Sequence, residues 1–235
     1  MTGADRSSTG TDSGPEAGSV ASPTGFFRTA LSIALKDFRL EIRSKQALPL
    51  SVALSLLIVV TDAFSYGGGA ESYGPLWVAF VFAGTLAVMQ TIALETRNDA
   101  FDGLLLAPIN RTAIYLGKVA STTVFVTVIG FVTLLALAVF HHATVPLETL
   151  PTLLLILFLF SLGFSAVGVL VGLITAATDI SALLVPVLLV PLVFPGLLAG
   201  VGFLESGATS WITVLLSYDG IVLVAGVLVF DELVS

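Results

Sequence analysis

Apolar and polar positions in this chain segregate on the scale of whole helices rather than single residues. Six apolar runs, at about 47–66, 75–94, 115–140, 150–176, 181–201 and 210–230, are separated by polar stretches. A run of about twenty residues crosses a bilayer core of about 30 Å at 1.5 Å per residue. The runs are continuous and do not alternate, so they predict helices and not barrel strands. The expected fold class is all-α: one polytopic domain, residues 26–235, with six transmembrane helices.

Two stretches before the first run have other patterns. Met1 to Thr24 is Ser, Thr, Gly, Asp and Pro with little apolar content, which predicts a disordered tail over 1–25. It has no apolar core of the kind a signal peptide needs. In Phe26 to Ser44, Phe27, Leu31, Leu35, Phe38 and Ile42 recur every three or four residues, and Arg28, Lys36, Arg39 and Arg43 take other faces. That spacing predicts an amphipathic helix over 26–44 lying in the membrane interface.

Particular residues shape the expected spans. Asp62 lies near the far end of span one and is expected to reach the interface. Trp77 opens span two at interface depth. Gly168 and Gly172 form GxxxG in span four, with Ser161 and Ser165 extending the small face, which predicts close helix packing. Pro186, Pro191 and Pro195 each predict a kink or break in span five. They either line a path or bend the helix for structural reasons alone.

Composition agrees with the membrane class: 56% hydrophobic and 11% charged, where a soluble domain would have about a quarter charged. The net charge of −7 belongs to tails and loops, and no basic stripe exists to follow nucleic acid. With no cysteine, disulfides and thiol chemistry are excluded. All nine Lys and Arg lie before span one or between spans two and three, counting Lys118 at the start of span three. Taking the basic side as cytoplasmic puts both termini inside a cell membrane.

Chemistry within the chain is sparse. No GxxxxGK[ST] loop occurs, so ATP is not bound in that way, and neither HExxH nor GxSxG is complete. His141 and His142 are adjacent and point about 100° apart on a helix, so they cannot share one metal from one face. Either one as a haem ligand stands beside the commoner reading of polar residues that end a span. Among ionisable groups, Asp62 and a few residues at span ends are all that the spans are read to contain. A proton- or ion-coupled carrier needs more. No catalytic residue or metal site is expected, and energy for transport is expected to come from outside the chain.

The polar stretch from Glu95 to Lys118, ETRNDAFDGLLLAPINRTAIYLGK, is longer than a turn between spans requires. An acidic start leads into Leu104-Leu105-Leu106, and Ala107-Pro108 stops the element. A short helix with an apolar knob and a charged rim suits docking into a groove on a cytosolic partner. Lying flat on lipid would not explain the acidic rim, since anionic headgroups repel it.

Glu95-x-Arg97-x-Asp99-x-x-Asp102-Gly103-Leu104-Leu105-Leu106-Ala107-Pro108, followed by Arg111 and Gly117-Lys118, resembles the span two–three segment of ABC export permeases. Leu35 to Arg43, Leu76-Trp77-Val78-Ala79 and Leu183 to Pro195 extend the resemblance to the CcmB-like permease of the haem exporter in cytochrome c maturation. The likeness covers nearly everything from about Leu31 onward. It departs at Thr178-Asp179-Ile180, where family members commonly have basic residues.

The resemblance implies a permease without its own ATPase, with ATP bound on a CcmA-like partner, a CcmC-like haem-handling protein beside it, and haem as the species delivered. It implies docking of the ATPase by Glu95, Arg97, Asp99, Asp102, Leu104, Leu105 and Pro108 in a coupling segment over 95–114. Asp37, Glu41 and Arg43 would support that contact, and two copies of the chain would surround one path. Two other readings remain open: an export permease for a lipid or drug-like substrate, and a membrane scaffold that transports nothing.

Overall fold

The computed structural model describes residues 28, 30–36, 39, 47–66, 73–97, 111–141, 147–177 and 184–233. Six long helices follow one another: α1 Ala47–Tyr66, α2 Gly74–Arg97, α3 Arg111–Phe140, α4 Leu150–Ala177, α5 Val185–Ser206 and α6 Ser210–Leu233. Each is long and apolar enough to cross a membrane, and no strand occurs among the described residues. A short helical segment over residues 30–36 precedes them. The expected tail over 1–25 lies outside the described residues.

The bundle is built around α4. About two thirds of its spanning residues are buried (67%), against 17% in α1 and in α6. It packs on α3, α5 and α6 and, less extensively, on α2, while α1 packs on α2 and α3. An aromatic cluster fills the centre: Phe160 of α4 meets Trp77 and Phe80 of α2 edge-on, with ring centroids 5.0 and 4.9 Å apart. Such pairs contribute about 0.5–1.5 kcal/mol each beyond burial.

Small residues set how closely the helices approach. A Cβ on Gly168 would stand 2.7 Å from Val88 and one on Gly172 would stand 2.7 Å from Ile92, so the GxxxG face of α4 seats the side chains of α2. The predicted close packing is present, with bulky side chains against glycine. Hydroxyls inside the spans are largely spent on their own helix. Ser161 donates to Leu157 O at 2.7 Å and Thr133 donates to Ile129 O at 2.7 Å.

Trp77, in the first turn of α2, is buried within the bundle (4% exposed). Its indole lies over Gly200 of α5, where a Cβ would stand 2.6 Å from Cζ2. The half-buried Trp211 sits by the α5–α6 turn, its Nε1 donating to Ser206 Oγ at 3.0 Å.

The prolines leave α5 unbroken. Pro186 falls in the first turn, where no backbone bond is lost, and Pro191 and Pro195 lie inside one continuous helix. That helix ends at Gly207, whose φ of 65° is the left-handed cap that glycine accepts without strain. Helix α3 also starts earlier than the apolar run suggests. Arg111 to Ile114 form its first turn, so that part of the 95–114 segment is helix continuous with the span.

Candidate functional site

The polar connector joins α2 to α3, and what the structure describes is its mounting. Glu95 and Arg97 stand in the final turn of α2 by backbone. Asp99, Asp102, Leu104, Leu105 and Pro108 lie outside the described residues, as do Asp37, Glu41, Arg43 and His142.

On the α3 side, the mounting is tightly packed. Gly117 gives close approach to the N-terminal segment: a Cβ there would stand 2.8 Å from Ala30 O and 3.0 Å from Ile33 Cβ. Ile33 is buried among Ile114, Tyr115, Val119 and Phe230. Leu31 and Leu35, on the predicted lipid-facing stripe, are exposed. The segment therefore keeps Leu31 and Leu35 free and docks on α3 through Ile33, which the periodicity did not single out. Tyr115, fully buried, donates its hydroxyl to Ala166 O of α4 at 3.1 Å. Lys118 is buried nearby in the second turn and has an interaction of its own.

At the opposite end of the bundle, His141 follows the last residue of α3 and meets Asp62 of α1, Nε2 to Oδ2, at 2.9 Å. A carboxylate can only accept, so the ring N–H at Nε2 donates. The His141 side chain is 4% exposed, and its Nδ1 is buried without a partner among the described residues. Asp62 thus closes a contact between helices rather than facing only the interface. With Nε2 engaged and Nδ1 enclosed, neither ring nitrogen is open to an external ligand in this arrangement.

Pro191 and Pro195 lie on the exposed side of α5, and Pro186 is half-buried. Neither of the exposed prolines faces the interior of the bundle.

One ionisable residue was missed in reading the spans as holding only Asp62 and end residues. Asp219 stands mid-way along α6, is 3% exposed, and neither carboxylate oxygen has a hydrogen-bond partner among the described residues. Gly163 of α4 makes the room, since a Cβ there would land on Oδ1. The signal was available: an acidic residue far from both ends of an apolar run costs several kcal/mol to insert and marks function by default. Among the described residues, no group of three His, Cys, Asp or Glu is placed to hold a metal.

Comparison with known proteins adds the family. The family model described as CcmB protein matches residues 28–230. No curated protein and no solved structure matches the chain.

Proposed function

The chain belongs to the CcmB family, haem-exporter permease subunits of cytochrome c maturation, and on that premise we propose that it is the membrane subunit through which a separate ATPase drives haem delivery. The six spans make it a multi-pass membrane protein. In the proposed arrangement both termini and the α2–α3 connector face the cytoplasm of a cell membrane. That placement follows from the Lys and Arg distribution.

The observation that carries the coupling role is the position of the acidic–leucine motif between the last turn of α2 and the tightly packed first turns of α3. Glu95 and Arg97 continue α2, and Arg111 starts α3, whose first turns are packed by Ile33, Tyr115 and Phe230. A push on Leu104 and Leu105 would therefore pass into α2 and α3 as rigid bodies. The motif docks a CcmA-like ATPase, with Asp99, Asp102 and Pro108 at its rim and Asp37, Glu41 and Arg43 alongside. A CcmC-like protein handles the haem. Because Pro191 and Pro195 face outward, any path they line runs between two copies of the chain and not through one bundle.

Co-purification from the native membrane tests the proposal. An ATPase subunit and a haem-containing membrane protein should accompany the chain in stoichiometric amounts. Recovery with an ATPase of a lipid- or drug-export system, or with no ATPase at all, overturns the haem assignment or the transport role respectively.

A further inference from the structure

We propose that Asp219 is a proton-binding carboxyl group in the seam between α4, α5 and α6, and that loss of its proton loosens that seam. The proposal goes beyond the exporter reading and does not depend on it.

The geometry is that of a wedge. Tyr218 and Asp219, neighbours on α6, fill the space left by two glycines on different helices. A Cβ on Gly163 of α4 would strike Asp219 Oδ1 and stand 2.6 Å from Tyr218 Cε1, and one on Gly196 of α5 would stand 3.0 Å from the same ring atom. The Tyr218 hydroxyl donates to Leu192 O of α5 at 3.0 Å, which holds the wedge in place. The carboxylate beside it is enclosed and receives no hydrogen bond from the described residues.

The groups that could answer a negative charge here are few. Helix α6 packs on α3, α4 and α5. Helix α4 has no titratable residue, and Glu205, at the end of α5, is exposed. On α3, Arg111 opens the first turn, the Tyr115 hydroxyl is given to Ala166 O, and Lys118 has an interaction of its own. On α6 itself, Tyr218 is engaged with Leu192 O, and Asp231 and Glu232 are exposed near the C-terminal end.

A resident metal ion would need more ligands than the described residues bring together. An ionised carboxylate enclosed without a counter-charge or a donor is strongly disfavoured, and such groups neutralise instead. A proton is the ligand whose size and chemistry the site accepts. It comes from the aqueous phase when the seam opens and returns there when the acid ionises. The anion then demands hydration, which the closed packing of Gly163 against the wedge denies it, so ionisation and opening are linked.

Two measurements on the purified full chain in lipid nanodiscs test this. Infrared difference spectra between wild type and Asp219→Asn, recorded across a pH series, should contain the carbonyl band of a protonated carboxylic acid that disappears as pH rises. Absence of that band at every pH overturns the proton site, and a band that persists unchanged overturns the switch. Hydrogen exchange reads the seam directly. Amides of α6 around Asp219 should lose protection in wild type as pH rises, relative to Asp219→Asn at the same pH, and equal exchange at every pH overturns the linkage.

Discussion

His141 and Asp62 join the ends of α3 and α1 through one contact of 2.9 Å, although seventy-nine positions separate them in the chain. The pair ties α1, a peripheral helix with 17% of its span buried, to a helix anchored in the core. Hydrogen bonds to a charged group contribute about 1.5–3 kcal/mol. Asp62→Asn and His141→Gln should each lower thermal stability in detergent by that order, and the double variant should lose little more than either single one. Additive losses in that cycle would show that the contact carries no coupling energy.

Tyr115 and Gly226 offer a second cycle. A Cβ on Gly226 would strike the phenol ring of Tyr115, Cε1 at 2.9 Å and the hydroxyl closer still. Gly226→Ala should destabilise the bundle by about 1–3 kcal/mol through overpacking. Tyr115→Phe alone should cost about 1 kcal/mol for the lost bond to Ala166 O. Combined with Gly226→Ala it should recover part of that variant's loss, measured as the midpoint of unfolding.

Coupling to the ATPase can be read without disturbing the bundle. Asp102→Lys and Leu105→Glu lie in the connector, where buried apolar anchors of an interface are commonly worth 2 kcal/mol or more. Either variant should reduce ATPase recovery or its permease-dependent hydrolysis by about tenfold or more, while the thermal stability of the permease alone stays unchanged. Unaltered hydrolysis and recovery would leave the connector without the role proposed for it.

The absence of native cysteine makes topology directly measurable. A single cysteine at the exposed Leu147 should react with a membrane-impermeant maleimide in intact cells. One at Asn110 should react only after the membrane is opened. The reverse pattern would place the connector outside and remove the ATPase from reach.

The apolar runs were enough to determine the six long helices of the described residues and nearly where they lie. Inserting twenty apolar residues into lipid is a local matter that requires no knowledge of neighbours. Ser161, Ser165, Gly168 and Gly172 were legible as a packing face for the same reason, since their spacing on α4 is set by the helix alone. The connector motif was legible as a surface because charge and leucine stand together within a few residues of sequence.

What the tertiary structure decided is which of those residues meet. Trp77 was legible as the aromatic residue that opens span two, and Gly200 of α5 is the slot in which its indole lies. Pro191 and Pro195 were expected to kink or break span five; of the two outcomes the break is absent, since α5 runs on through both, with their side chains on its exposed face. Asp62 needed His141 from α3, and Asp219 needed the vacancy at Gly163 on α4. Each of these relationships joins helices far apart in the chain, and helix periodicity is silent about the choice of neighbour. In a bundle whose helices are apolar on every side, burial distinguishes no face from another, so contact geometry alone assigns the partners.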